Sequence, residues 1–243
     1  MSKNKVCVIL PCYKVKHKIY QVYKKLIRIK IDKLIFVDDC CPENSVKYLK
    51  SKVKKQNKIQ FVYLNENNGV GGATLRGFSI AKNQGFDILL KFDADNQHRI
   101  SDLKKIIKTL KKDKVLFCKG YRKLNLSSSR KRKMPLIRIV GTNALTVISR
   151  FTTQDYSLKD VTNGLFGLKS IIFRKLNLKK IKKNYFFEQD LIFQLCQRKI
   201  KIHQINSEVL YQNETSSLRI LKIIIPFTIY HLQNIFSRNE NIK

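Results

Sequence analysis

Ile88-Leu89-Leu90-Lys91-Phe92-Asp93-Ala94-Asp95-Asn96-Gln97-His98 holds the two signals that decide the fold: an apolar run of strand length and acids placed directly after it. Short apolar runs bounded by turn formers read as buried strands. Alternate residues at a strand end point the same way, so Asp93 and Asp95 share one face. Two such carboxylates, helped by Gln97, offer the hard oxygen ligands that Mg2+ or Mn2+ prefers, with diphosphate oxygens completing the shell. An Asp-x-Asp alone is weak, because surface turns often carry it. A second acid pair strengthens the reading: Leu34-Ile35-Phe36-Val37 runs into Asp38-Asp39-Cys40-Cys41-Pro42. Acids at a strand end can accept hydrogen bonds from a base or ribose, although a helix cap or turn needs the same residues.

Working outward, strand and helix patterns alternate. Strands are expected at 6–10, 34–37, 59–64, 87–92 and 115–118, and helices at 17–30, 45–54, 72–83 and 100–111, the second opened by Ser45 as a cap. Short strands separated by helices predict an α/β fold with a largely parallel sheet. Ligands bind such sheets beyond the carboxyl ends of the strands, where both acid pairs lie. Further on, residues 119–133 read as a basic loop around Ser127-Ser128-Ser129. Helices follow at 134–151 and 188–198, with strands at 161–168 and 201–204. Between the acid pairs, Asn67-Asn68-Gly69-Val70-Gly71-Gly72-Ala73-Thr74 suggests a dinucleotide fingerprint. Thr74 stands where its third glycine belongs, and the segment follows the third strand, so tight turning and close packing explain the glycines better.

With 243 residues, 43% of them hydrophobic, the chain can bury a core, and disorder is excluded. No internal repeat or linker appears, which predicts one domain over 1–216 and a tail over 217–243. Six cysteines without a Cys-x-x-Cys pair, and four histidines without a His-Glu-x-x-His, argue against zinc sites and a disulfide framework. The short first apolar run and the lack of any spanning stretch predict a cytoplasmic protein. Fifty Lys and Arg against 17 Asp and Glu give +33, which attracts polyanions of any kind and equally fits a biased composition.

Pro11-Cys12-Tyr13, Asp38-Asp39, the glycine segment through Gly77, and Asp93-Ala94-Asp95-Asn96-Gln97-His98 occur in an order that resembles family-2 glycosyltransferases. The pattern is most similar to that of the dolichol- and polyprenyl-phosphate sugar synthases. It continues in Gly120-Tyr121-Arg122, Pro135 with Arg138, Asp160-Val161-Thr162-Asn163-Gly164 and Phe187-Glu188-Gln189-Asp190. The resemblance implies a GT-A fold: a Rossmann-like, mixed and mostly parallel sheet flanked by helices. It implies an inverting transferase that takes its sugar from a nucleotide-diphosphate sugar. Pro11, Tyr13, Val37 and Asp39, with Asp93 and Ala94, would hold the nucleotide. Asp93, Asp95 and Gln97 would hold Mg2+ or Mn2+, and Asp95 and Arg122 would serve the reacting phosphates. Arg138 is a further phosphate clamp or simply a helix arginine. Glu188 and Asp190 are candidate bases for a hydroxyl acceptor, or caps of the following helix. Cys12, Lys14 and Cys40-Cys41 depart from the family's usual residues and leave the preferred base open.

Other classes fit less well. A processive polysaccharide synthase needs a Gln-x-x-Arg-Trp motif, and the chain has no tryptophan. A nucleotidyltransferase would carry its glycine-rich loop after the first strand. A nucleic-acid-binding basic α/β protein would suit the charge, but no recognition motif for specific nucleic acid is found. A non-catalytic relative is the remaining alternative. The tail from Ser217 to Phe236 mixes Leu, Ile and Phe with Arg219, Lys222 and His231, and Pro226 interrupts it. It reads either as an interfacial segment on an anionic membrane or as a helix packed on the domain. Tyr211 to Leu218 resembles the acceptor-side segment of polyprenyl-phosphate transferases. The expected acceptor is therefore polyprenyl phosphate or a lipid-linked glycan, reached from peripheral attachment at the inner membrane face.

Overall fold

The computed structural model describes residues 4–123, 136–184 and 186–208. Strands β1 (Val6–Cys12), β2 (Lys33–Asp38), β3 (Ile59–Tyr63), β4 (Ile88–Lys91), β5 (Phe117–Tyr121), β6 (Phe166–Lys169) and β7 (His203–Asn206) form one sheet in the order β3-β2-β1-β4-β6-β5-β7. The first four strands are parallel, β6 runs antiparallel to β4 and β5, and β7 is parallel to β5. The sheet is thus mixed and mostly parallel, as expected.

Among the described residues, seven helices flank it: α1 (Lys16–Leu26), α2 (Ser45–Lys52), α3 (Gly69–Asn83), α4 (Ile100–Leu110), α5 (Leu136–Thr153), α6 (Ser170–Phe173) and α7 (Phe187–Gln197). Val8, Leu10, Leu34, Phe36 and Leu90 face α1, α2 and α4 through Ile19, Leu26, Leu49 and Leu103. Ile9, Ile35, Val37 and Leu89 face the opposite layer, where Phe78 of α3 and Phe187 and Leu191 of α7 meet them. Burial on both faces is why these strands read as unbroken apolar runs. Each such side chain contributes about 1.5–3 kcal/mol on burial.

Close packing accounts for the glycine segment. A Cβ on Gly77 would lie 2.4 Å from Cγ2 of Ile9, so α3 rests directly on β1. The N–H of Gly71 donates to the carbonyl of Lys183 at 2.9 Å, bringing the 181–184 turn against the start of α3.

Several local expectations are corrected. Ser45 does not cap α2: Asn44 is the N-cap residue, without a side-chain capping bond, and Ser45 Oγ accepts from the N–H of Val15 at 3.1 Å. Residues 161–165 are not strand, because polar side chains there bind their own backbone. Asp160 accepts from the N–H of Thr162 at 3.1 Å and Asn163 from that of Leu165 at 2.9 Å. Lys119 belongs to buried β5 rather than to a basic loop. Residues 124–133, Pro135 and everything after Glu208 lie outside the described residues, and so do the tail call and its boundary at Ser217. Nor is the side chain of Arg138 described.

Candidate active site

The carboxyl ends of β1, β2 and β4 lie side by side: β1 pairs with β2 on one side and β4 on the other, and Pro11 is in register with Val37. This brings Pro11, Tyr13, Asp39, Asp93, Ala94 and Asp95 to the wall of one cavity of about 610 Å³. Asn67, Gly69 and Asn184 close its far side. Val37 does not line it. Its side chain is fully buried in the core.

Asp39 is fixed from below. Its Oδ1 accepts from the N–H of Asn68 at 2.7 Å, at the start of α3. Burial pushes its carboxyl up, while the N–H groups of Asn68 and Gly69 pull against that and the charge of Asp38 adds to it. Asp38 turns the other way, accepting from the N–H of Cys41 at 2.8 Å. Cys41 Sγ in turn accepts from the N–H of Lys14 at 3.1 Å and touches Ser45 Oγ at 3.2 Å. The loops after β1 and β2, which form the nucleotide-side wall, are tied together through that thiol.

The two acids after β4 have different surroundings. Asp93 Oδ1 takes a bond from Lys91 Nζ at 2.6 Å, and its Oδ2 lies 3.1 Å from His98 Nε2. Burial opposes its charge, but Lys91 and then His98 outweigh it and hold the carboxyl well below the usual range. Among the described residues, Asp95 accepts only from the N–H of Gln97, at 3.0 Å on Oδ1. Burial and then the charge of Asp93 push its carboxyl up. An acid raised by burial and a neighbouring anion is relieved by an added cation. No group of three or more His, Cys, Asp or Glu able to hold a metal occurs among the described residues. Mg2+ usually binds through one or two carboxylates and completes its shell with water and substrate phosphate. Asp95, a carboxylate on the cavity wall beside Asp93, has the hard oxygens such an ion takes, whereas Gln97 does not line the cavity.

Lys91 was not singled out from the sequence, yet it organises the floor of the site. It is 1% exposed, and its ammonium reaches Asp93, the carbonyl of Gly164 at 3.1 Å and Oε1 of Glu188 at 3.3 Å. Burial opposes its charge, and Asp93 and Glu188 together hold it above the ordinary lysine value. The detectable signal was a charged residue inside an apolar strand, since lysine is almost never fully buried unless paired.

The other predicted residues fall into two groups. Glu188 joins the site through Lys91. Asp190 is engaged elsewhere: its Oδ2 accepts from the N–H of Lys182 at 2.6 Å, in the turn that presents Asn184. Burial pushes Asp190 up to about 6 against that bond. Arg122 is buried, with Nε 2.7 Å from Asp160 Oδ2, and Nη2 bonded to Asp160 Oδ1 at 3.0 Å and to Thr162 at 2.5 Å. Its guanidinium thus anchors the 160–164 turn, and it does not line the cavity. Lys119 Nζ also bonds the carbonyl of Asp160. The lysine is pulled down to about 8 by burial, against the charge of Asp160.

With this geometry in view, the chain can be compared with known proteins. The family model described as Glycosyl transferase family 2 matches residues 7–180. The UDP-N-acetylglucosamine–dolichyl-phosphate N-acetylglucosaminyltransferase of Methanococcus voltae is 28% identical over 95% of both chains. An undecaprenyl-phosphate mannosyltransferase of Micrococcus luteus is 24% identical over 66% of this chain and 64% of its own. Among solved structures, glucosyl-3-phosphoglycerate synthase of Mycobacterium tuberculosis, in complex with Mn2+, UDP and glucosyl-3-phosphoglycerate, superposes with a TM-score of 0.68. It is 14% identical, with 98% of this chain and 80% of that one covered, a likeness of fold. An ordered set of acids at the carboxyl ends of a mixed sheet, matched by one family model over most of the chain, leads to one assignment: this protein is a glycosyltransferase of family 2, with the GT-A fold.

Proposed function

We propose that the protein moves a sugar from a nucleotide-diphosphate sugar to polyprenyl phosphate, or to a lipid-linked or surface glycan, in a single metal-dependent displacement that inverts the sugar carbon. The observation that carries this is the convergence of Asp39 and Asp93–Asp95 on one cavity, with Pro11 and Tyr13 on the wall beside them. Asp39, held by the start of α3, is placed to accept from the base or ribose. Asp95 and Gln97 would hold Mg2+ or Mn2+, beside Asp93. Bound there, the ion supplies positive charge against the departing diphosphate.

The acceptor oxygen forms its bond to the sugar carbon as the bond to the diphosphate oxygen breaks on the opposite side. A phosphate acceptor is already ionised and needs no base. A hydroxyl acceptor gives its proton to a carboxylate, and Glu188, joined to the floor of the site, is better placed for this than Asp190.

A lipid acceptor is supported by α5, whose amphipathicity is inverted. Val140, Val147 and Phe151 are 68%, 45% and 62% exposed, while Thr142, Thr146, Ser149, Thr152 and Thr153 are buried. Three of the buried threonines satisfy their hydroxyls on carbonyls four residues back in the same helix. Phe151 also packs edge-on to exposed Tyr156. An apolar outer helix face on a strongly basic chain suits the boundary of an anionic membrane. Among the described residues, no helix is long and apolar enough to cross one. Peripheral attachment at the cytoplasmic face is the corresponding location, with residues 1–216 as the catalytic unit and 217–243 as an appended tail.

The deciding experiment incubates purified protein and Mn2+ with a panel of UDP- and GDP-sugars, with and without undecaprenyl phosphate in detergent. Sugar phospholipid formed only with metal and one donor class supports the proposal. Donor turnover onto soluble acceptors alone would overturn the lipid half, and no turnover of any donor would overturn the whole.

A further inference from the structure

Lys91 sits where an acidic cluster would otherwise stand. Three oxygens from three segments surround its ammonium: Asp93 after β4, the carbonyl of Gly164 before β6, and Glu188 in the first turn of α7. A Cβ on Gly164 would lie 2.7 Å from both Lys91 Nζ and Asp93 Oδ2, so only glycine leaves room for this grouping. Two carboxylates and a carbonyl are also what a small hard cation seeks. The ammonium occupies that place and keeps both carboxylates at hydrogen-bonding distance.

We propose that Lys91 is a built-in cation, a positioning residue that fills a second cation place between Asp93 and Glu188 and confines divalent metal to Asp95 on the cavity side. This rests on the metal-dependent reading above. With Asp93 engaged by Lys91 and His98, the metal depends on Asp95. Glu188, which no bond within its own helix turn aims at the site, takes its direction from the same lysine. In consequence the enzyme binds one divalent ion, and a small hole at position 91 would create room for another.

Mn2+ binding followed by electron paramagnetic resonance, without donor or acceptor, tests this independently of turnover. Wild type is expected to bind one equivalent. Asp93→Asn should keep that stoichiometry, while Asp95→Asn should lose it. Lys91→Ala should bind a second equivalent, and methylammonium, which restores the missing cation, should displace it. Lys91→Met fills the hole with apolar atoms and should gain no second ion. Circular dichroism checks that each variant is folded. If Lys91→Ala does not fold, the contrast between Asp93→Asn and Asp95→Asn in the wild-type background still decides, because equal loss in both would overturn the proposal. A folded Lys91→Ala that binds one Mn2+, indifferent to methylammonium, would overturn it as well. Absence of Mn2+ from wild type would instead sink the metal reading, and a single ion bound only by Lys91→Ala would then still support the role of Lys91.

Discussion

Asp160→Asn is the sharpest test of how the 160–164 turn is held. Asp160 is 1% and Arg122 6% exposed, and the carboxylate receives the main-chain N–H of Arg122 at 3.0 Å as well as the guanidinium. Burial works against its charge, but Arg122 holds it well below the usual carboxylate range. The substitution keeps shape and removes the anion, leaving Arg122 and Lys119 buried without it. Removing one partner of a buried pair costs roughly 3–5 kcal/mol. In a domain of this size that lowers Tm by about 6–20 °C, at about 2–4 °C per kcal/mol. A carboxylate depressed by folding contributes stability that is present above its unfolded value, near 4, and is lost as pH falls through the lower folded value. The gap between wild type and variant should therefore be full at pH 7 and narrow steadily below about pH 4. Urea and thermal unfolding by circular dichroism at pH 7 and pH 3 measure it. A loss under about 1 kcal/mol at pH 7, well short of the buried-pair range, or a gap that widens in acid, would refute the reasoning.

Three further outcomes are expected. Asp95→Asn should abolish metal-dependent turnover while leaving Tm close to wild type, and EDTA should do the same to wild type; a near-normal rate at saturating Mn2+ would move the metal site elsewhere. Asp39→Ala should weaken nucleotide-sugar binding by about 1–3 kcal/mol without removing metal dependence, the cost of a lost buried acceptor; unchanged affinity by calorimetry would make Asp39 a purely structural turn residue. Asp190 is raised to about 6 in the fold, so its contribution is present below its unfolded value and disappears as pH rises through 6. Asp190→Asn should thus be neutral near pH 4 and stabilising at pH 8, on the order of 2–3 kcal/mol for two pKa units; equal stability of both proteins at pH 8 would show that the acid is not strained by burial.

The legible parts of this molecule were those where one residue type has one physical use. Apolar runs such as Leu34-Ile35-Phe36-Val37, short and bounded by turn formers, are strands buried on both faces, and acids directly after them mark the carboxyl edge of the sheet. The sequence could not reveal which acids had partners. Asp93 and Asp95 look alike as letters, and Lys91 distinguishes them only because residues 164 and 188, distant in sequence, return to the same point. Arg122 reads equally well as a phosphate clamp or a structural ion pair, until Asp160 is found against it. Residues 161–165 were mistaken for strand because their apolar members suggested one. The Asx-type bonds of Asp160 and Asn163 outbid the ladder.

The pairing of acids with cations also accounts for where chemistry is left possible. Asp160 is neutralised by Arg122 and Asp93 by Lys91, with His98 against its other oxygen, and each is held as an anion that cannot easily take a proton or another ligand. Asp190 is committed to the Lys182 N–H. Asp95 alone among these four acids combines a place on the cavity wall, a raised carboxyl and no cationic side chain bonded to it. The chain has nearly three basic residues for every acidic one, yet among the described residues no cationic side chain is bonded to that carboxylate. The positive charge it lacks is the charge that a divalent ion would bring.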